Sequence, residues 1–164
     1  MRLTLFTDFA LRLLMYLGTH SDDLCRIQEI ADAYGISKNH LMKVAHQLGR
    51  AGYVDTLRGR SGGLRLAKAP AEIRISDVVR VTEEDFRMVE CFDPARNTCV
   101  ISGTCRLRGV LAEALDAYLA VLDRYSLADL VSDGGALGSV VLRTSGQEAV
   151  LEAKTSCDGR SPSG

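Results

Sequence analysis

The sequence predicts a mainly α-helical protein with one small β-hairpin, and three observations support this fold class. Apolar residues recur at helical spacing through the N-terminal third, as in a set of packed amphipathic helices. Two short β-prone segments then flank a glycine-rich turn, and a long apolar stripe follows a cysteine-rich stretch. The chain has 164 residues, enough for one core and one or two accessory helices.

The first two helices are predicted from apolar spacing and a stop signal. Apolar residues over 6–17 share one face and predict a first helix that ends near Gly18. A second apolar face over 27–34 predicts a second helix. Gly35 ends it, because glycine adopts the left-handed backbone of a helix C-terminus without steric cost.

A third helix follows after a tight turn. Ser37 is expected to cap it, with the side-chain hydroxyl accepting hydrogen bonds from free amides of the first turn. Leu41, Val44 and Leu48 would face inward. Two short helices joined in this way form a helix-turn-helix, whose second helix presents its N-terminal residues to the DNA major groove. The residues of this helix expected to contact DNA are Ser37, Lys38, Asn39, His40 and Lys43.

Two short strands and the turn between them predict a wing. The strands are expected at 53–57 and 64–67, and the turn over 58–63 contains three glycines. A nucleotide-binding loop is disfavoured, since no lysine followed by serine or threonine completes a phosphate loop. The fold class is therefore mainly α with a small β-wing, a winged helix-turn-helix. The wing residues expected to contact DNA are Arg58, Arg60, Ser61 and Arg65.

Charge is distributed unevenly along the chain. Residues 36–68 carry seven lysines and arginines and one acid, Asp55, whereas the whole chain has a net charge of -1. A basic block inside an otherwise acidic protein is typical of a surface that binds phosphates, and so predicts double-stranded DNA as a partner. A solvated basic face is the simpler alternative, and the helix-turn-helix pattern favours the DNA-binding interpretation.

Three cysteines predict a metal or cluster site. Cys91, Cys99 and Cys105 lie in one stretch, with seven and five residues between them. Thiolates are soft ligands for iron-sulfur clusters and zinc. The N-terminus does not lead into a secretory signal, so clustered cysteines favour metal ligation over disulfides. Of the other two cysteines, Cys25 is predicted to be a small buried residue and Cys157 to lie in a tail.

A long helix is predicted after the cysteines. Apolar residues alternate in steps of four and three over 107–125, a heptad seam of about 20 residues or roughly 30 Å. One small domain has too little surface to cover this stripe, so a dimerisation helix and a homodimer are predicted.

Two shorter helices are predicted on either side of this region. Ser76 is expected to cap a helix over 77–81, and Ser126 a helix that ends at Val131. The predicted domains are a winged helix-turn-helix DNA-binding domain (1–82), a cysteine-rich cluster-binding loop (83–105), a dimerisation helix with a short terminal helix (106–133) and a disordered tail (134–164).

Four segments together carry a family resemblance. They are the opening segment 3–9, the third helix over 37–44, the wing over 58–66 and the cysteine triplet. With these segments the chain resembles the nitric-oxide-sensitive branch of the Rrf family of dimeric winged-helix regulators, from about residue 1 to residue 131. The wing motif is typical of the wider family, whereas the cysteine spacing together with Asp8 points to the nitric oxide branch.

The resemblance implies a repressor that senses nitric oxide. In such proteins three cysteines hold an iron-sulfur cluster, taken to be [4Fe-4S] in preference to [2Fe-2S], and an aspartate in the first helix of the partner subunit is the fourth ligand. The matching residues are Cys91, Cys99, Cys105 and Asp8. Nitrosylation of the cluster would cause the repressor to dissociate from its palindromic operator. An acid in the first turn of a helix is also favourable for reasons of the helix dipole alone, so Asp8 has a second explanation.

Two related interpretations remain open. Regulators of the IscR type sense iron-sulfur status or redox state and have a histidine three residues after the third cysteine, where this chain has Arg108. A zinc-bound winged-helix regulator is the other alternative, because three thiolates and a carboxylate also suit zinc.

Enzymatic and membrane functions are disfavoured. The sequence contains no nucleophile elbow, metalloprotease motif or phosphate loop, so an enzyme is not expected. An iron-sulfur assembly or electron-carrier module would need the cluster but not the basic winged helix. No apolar run reaches the roughly 18 residues of a membrane helix, and a cytoplasmic protein is expected.

Overall fold

The computed structural model describes residues 2–21, 23–59 and 62–132 and confirms the predicted fold class. A single two-stranded antiparallel sheet, β1-β2, is inserted among the helices of this part of the chain. Short 3₁₀ turns occur at Pro70–Glu72 and Glu90–Phe92. The elements in chain order are α1 (Leu5–Thr19), α2 (Ile27–Tyr34), α3 (Lys38–Arg50), β1 (Val54–Leu57), β2 (Gly63–Leu66), α4 (Ile75–Thr82), α5 (Arg106–Asp123) and α6 (Leu127–Val131).

The core lies between α1 and the helices that surround it. Leu13, Leu14 and Leu17 of α1 are fully buried, and α1 packs against α3, α4 and α6. The predicted first helix is confirmed to within one residue of its end. The second helix ends as predicted at Gly35, whose φ of 62° is left-handed.

The predicted side-chain cap of α3 is wrong. Ser37 occupies the N-cap position, but its hydroxyl makes no capping hydrogen bond. Its backbone carbonyl instead accepts from the amides of His40 and Leu41, at 3.0 and 3.1 Å. The first turn is therefore closed by the backbone, and the exposed Ser37 side chain remains on the outer surface. The inward positions are confirmed, since Leu41 and Leu48 are fully buried.

The hairpin is attached to the helical core through β2. Val54 pairs with Leu66 and Leu57 with Gly63, close to the predicted strands. Leu64 and Cys25 exchange backbone hydrogen bonds of 2.8 and 3.0 Å, which anchors the hairpin beside the start of α2. Cys25 is buried, as predicted.

The start of α4 differs from the prediction. The helix begins at Ile75 and not at Asp77, because the Ile75 amide donates to the Tyr125 carbonyl at 3.0 Å. Ser76 lies inside the helix, is fully buried, and donates its hydroxyl to Asp123 at the end of α5. Its predicted role as a cap is therefore wrong; the serine joins two helices.

The long helix α5 has 18 residues and buries none of them. The short α6 has the predicted cap: Ser126 Oγ accepts from the Asp129 amide, while Asp129 accepts from the Ser126 amide at 2.7 Å. Leu127 fixes α6 in the core. The predicted tail, with Cys157, lies outside the described residues. None of the helices in the described ranges is long and apolar enough to span a membrane.

Candidate DNA-binding surface and cysteine loop

The N-terminal half of α3 forms an exposed polar surface. Because Leu41, Val44 and Leu48 hold the opposite side of the helix in the core, the predicted DNA contacts point outward. The His40 ring stacks on Phe9 of α1, with centroids 6.1 Å apart and an interplanar angle of 28°. This contact adds to the packing of α3 against α1. The exposed residues are Ser37, Lys38, Asn39, His40 and Lys43.

The hairpin adds basic side chains to the same part of the domain. Arg58 follows β1 and is exposed. Arg65 on β2 is also exposed, but its guanidinium lies 3.4 Å from the carboxylate of Asp55 on the paired strand. The predicted contacts Arg60 and Ser61 lie outside the described residues.

The cysteine loop, residues 83–105, contains turns and one 3₁₀ segment and no long helix, as the bends at Pro94 and Gly103 indicate. Arg87 forms ion pairs with Asp85 and Asp93. Hydrogen bonds from the Arg87 side chain hold the pKa of Asp85 below its usual value. Hydrogen bonds from the Thr98 hydroxyl and amide do the same for the pKa of Glu90.

The three loop cysteines are half-buried free thiols. Within the described ranges no three histidine, cysteine or acidic side chains converge on a common point that could hold a metal ion. A single chain thus carries Cys91, Cys99 and Cys105 in one loop, but it does not bring them together into a metal-binding site. The donor set fits an iron-sulfur cluster or zinc in its chemistry, because it offers three accessible thiols from one segment.

Asp8 lies in the first turn of α1 and pairs with Arg12 one turn later. Its two carboxylate oxygens accept from Arg12, at 2.9 Å (Nη2) and 3.2 Å (Nε). Both residues are substantially exposed, so the pair can exchange for another partner at little cost. The Asp8 carboxylate is thus partly exposed at the surface of α1.

Sequence reasoning missed the contacts around the junction between α4 and the cysteine loop. Gln47 on α3 donates to the Val81 carbonyl at 2.8 Å. Glu83 accepts from the amide and hydroxyl of Thr4, at 2.8 and 3.1 Å. An open cleft of about 860 Å³ lies where these segments meet. One of these contacts could have been anticipated from the sequence. Gln47 lies three residues after the buried Val44 and so on the same side of α3, where a polar side chain needs a hydrogen-bond partner.

A third contact of this kind is a buried pair of hydroxyls. Thr7 Oγ1 on α1 donates to Thr82 Oγ1 on α4 at 2.9 Å, and Thr82 donates to the Val78 carbonyl at 2.8 Å. The last turn of α4 is therefore bonded to both α1 and α3 immediately before the cysteine loop begins.

A helix-turn-helix with an adjacent β-hairpin and a basic outer face defines a winged-helix transcriptional regulator. The chain belongs to the Rrf2 family, described as iron-dependent transcriptional regulators, which matches residues 3–133. It is 56% identical over 134 residues to the HTH-type transcriptional regulator NsrR of Bacillus subtilis, covering 81% of this chain and 92% of the relative. Its identity to NsrR of Bacillus licheniformis is 54% over 132 residues, covering 80% and 92%.

Solved structures agree on the fold. T. potens IscR superimposes with a TM-score of 0.66 at 23% identity, covering 82% of this chain and 88% of that one. CymR, the global cysteine regulator of B. subtilis, gives 0.64 at 25% identity, covering 80% and 97%. The predicted family resemblance is confirmed by these NsrR relatives, which are named as HTH-type transcriptional regulators.

Proposed function

We propose that this protein is a homodimeric transcriptional repressor that binds a palindromic operator and releases it in response to nitric oxide. Cys91, Cys99 and Cys105 of one protomer and the partner subunit's Asp8 would hold an iron-sulfur cluster, [4Fe-4S] in preference to [2Fe-2S]. The observation that carries the proposal is the loop, which holds three half-buried thiols in one segment. Its first residue, Glu83, is hydrogen-bonded to Thr4 at the N-cap of α1, and Val81 in the preceding turn of α4 is hydrogen-bonded to Gln47 of α3. The functional division is a DNA-binding domain (1–82), a sensor loop (83–105) and a dimerisation region (106–133).

The dimer is supported by the surface of α5. Leu107, Val110 and Val121 are 59%, 60% and 43% exposed on a helix that buries no residue. A long apolar surface of this kind is typical of a protein-protein interface. A second copy would also supply a fourth ligand to the three loop cysteines, the partner subunit's Asp8.

DNA binding would use α3 and the wing. Lys38, Asn39, His40 and Lys43 are exposed on α3 and would enter the major groove. The exposed Arg58 and Arg65 would contact the flanking backbone. Phosphate contacts position a protein on DNA, whereas contacts to base edges specify sequence. The lysines and the wing arginines therefore contribute mainly affinity, and Asn39 is the best candidate for base readout.

The coupling between loop and DNA follows from the contacts at the end of α4. A bound cluster would supply iron atoms with which nitric oxide reacts. When the loop changes conformation, Val81 and Glu83 move with it, and their hydrogen bonds to Gln47 and Thr4 transmit the change to α3 and α1. The spacing of the two recognition helices in a dimer would then no longer match the operator.

One sample tests this proposal against its alternatives. The full chain is purified without oxygen, and its absorbance, iron, sulfide and zinc are measured before operator footprinting with and without nitric oxide. Visible absorbance with iron and sulfide, lost together with the footprint on adding nitric oxide, is the expected result. A colourless protein with stoichiometric zinc would support the zinc-bound regulator instead. A footprint that responds to iron limitation but not to nitric oxide would support an IscR-like regulator.

Cysteine variants test whether the three-cysteine loop is needed for operator binding. Cys99→Ala is expected to keep the helical fold while losing the cluster and specific operator binding. Cys157→Ser, a cysteine outside the loop, is the matched control and should behave as the parent protein. Tight operator binding by Cys99→Ala would show that repression does not depend on the loop.

A further inference from the structure

A carboxylate joins the two chain segments that carry the first two loop cysteines. Glu90 and Thr98 lie immediately before Cys91 and Cys99. Glu90 Oε1 accepts from the Thr98 amide at 2.6 Å and from the Thr98 hydroxyl at 2.7 Å. Two donors from one residue on one acceptor oxygen fix both the backbone and the side chain of Thr98. These two hydrogen bonds close the segment between Cys91 and Cys99 into a loop whose ends are held together.

The other contacts of the loop are local. Asn97 accepts from the Cys99 amide at 3.1 Å and donates to Ser102 at 2.9 Å, which shapes the turn around Cys99. Arg87 pairs with Asp93 on the Cys91 side. Among the hydrogen bonds of the described residues, only those of Glu90 connect residues 89–93 with residues 97–102.

We propose that Glu90 is a positioning residue, whose carboxylate sets the separation of Cys91 and Cys99 before any metal or cluster is bound. Fixing two thiols in advance removes part of the conformational entropy that a flexible loop would lose on ligation. Partners of metal ligands outside the coordination shell commonly influence affinity in this way. The identity of the bound group rests on the proposed function; the placement of the two thiols in the apo-protein does not.

The first test measures thiol proximity without metal. Dibromobimane becomes fluorescent only when both of its reactive arms alkylate thiols that lie close together. It is applied to the full-length apo-protein carrying Cys105→Ser and Cys157→Ser, so that Cys91 and Cys99 are the accessible pair. We expect Glu90→Ala to slow cross-linking several-fold. Glu90→Gln, which keeps an acceptor oxygen, should retain most of the rate. Glu84→Ala, at an exposed acid of the same loop, is the matched control.

The second test measures metal capture by the three-cysteine loop. Cobalt(II) is titrated into the apo-protein with the native loop, and thiolate-to-cobalt absorbance gives the affinity. Glu90→Ala should weaken cobalt binding by about tenfold, and Thr98→Val, which removes only the hydroxyl donor, by less. Circular dichroism of each variant checks that the helical domain remains folded.

The outcomes separate this inference from the proposed function. If Glu90→Ala slows cross-linking but the parent protein never assembles an iron-sulfur cluster, the positioning role stands and the cluster proposal fails. If Glu90→Ala cross-links as fast as Glu84→Ala and the parent, the positioning role is wrong whatever the loop binds. If Glu90→Gln loses cobalt as completely as Glu90→Ala and neither variant slows cross-linking, Glu90 is itself a ligand and the positioning role is wrong.

Discussion

At the scale of single residues, the buried hydroxyl pair Thr7–Thr82 links the first helix to the last turn before the cysteine loop. Both side chains are buried and hydrogen-bonded to each other at 2.9 Å. A buried hydroxyl that loses its partner retains the full cost of desolvation, whereas replacing both partners by apolar groups of similar shape is nearly neutral. The pair therefore contributes to the specific placement of α4 more than to net stability.

Thr82→Val should lower the free energy of unfolding by about 1–2 kcal/mol. The buried Thr7 hydroxyl loses its acceptor on α4 and keeps only the longer contact to Thr4 Oγ1, at 3.2 Å. The double variant Thr7→Val/Thr82→Val should recover most of that loss. Urea denaturation followed by circular dichroism measures both values. Losses in the double variant that equal the sum of the two single losses would show that the hydroxyls do not interact.

Cys25 should be the least reactive of the described cysteines. Burial raises the pKa of its thiol to about 11, so little thiolate forms near pH 8, and its side chain is buried. In native apo-protein, iodoacetamide labelling followed by mass spectrometry should modify Cys91, Cys99 and Cys105 well before Cys25. The unfolded chain should show no such difference. Rapid labelling of Cys25 in native protein would indicate that the contact between β2 and the start of α2 opens readily.

The same thiol makes stability depend on alkaline pH. The pKa of Cys25 in the folded protein lies above its ordinary value of 9.0. The protonated thiol therefore makes its full contribution to the free energy of unfolding below pH 9. This contribution decreases above pH 9, where the Cys25 thiol of the unfolded chain ionises while that of the folded chain stays protonated. It is lost above about pH 11, where the thiol is ionised in both states.

At the scale of elements, the helices that sequence predicts well are those whose ends are set locally. The stop of α2 at Gly35 and the cap of α6 by Ser126 depend on residues adjacent in sequence. The start of α4 depends on a hydrogen bond between Ile75 and Tyr125, 50 residues later, which no local pattern contains. The same holds for the site: the cysteine spacing is visible in sequence, whereas the Glu90–Thr98 and Gln47–Val81 contacts require the folded chain.

Gln47 on α3 is hydrogen-bonded to the Val81 carbonyl in the last turn of α4, directly before the cysteine loop, and its removal should weaken the proposed coupling between the loop and α3. Gln47→Leu should reduce the ratio of operator affinities before and after nitric oxide treatment by roughly threefold or more, as expected for a residue in a coupling network. Fluorescence anisotropy with labelled operator measures both affinities. Gln28→Leu, which loses only a hydrogen bond to Asp32 within α2, is the control. An unchanged affinity ratio in Gln47→Leu would exclude this route.

At the scale of the whole molecule, the proposed dimer would account for both the exposed face of α5 and the three loop cysteines that lack a fourth ligand. A second copy would cover the apolar stripe and bring the partner's Asp8 toward the loop. Dimerisation, cluster binding and operator spacing would then depend on the same interface, so that a defect in any one of them affects the other two.

A charge introduced into the proposed α5 interface should separate the two chains of the dimer. Val110→Glu places a carboxylate where a valine is 60% exposed, so the isolated chain should fold normally while dimerisation is weakened, because the charge would be buried without a partner. Sedimentation equilibrium gives the mass, with Glu113→Gln as the control on α5. A Val110→Glu protein that remains fully dimeric would place the interface elsewhere.

The DNA-binding behaviour of the same variant gives an independent check. The slope of log affinity against log salt concentration counts the phosphates neutralised in the complex, at about 0.9 per phosphate. A monomer engages one half-site, with one recognition helix and one wing, so the slope for Val110→Glu should be about half that of the parent. An unchanged slope in a monomeric variant would mean that one protomer makes all the phosphate contacts, which is incompatible with a symmetric dimer on a palindromic operator.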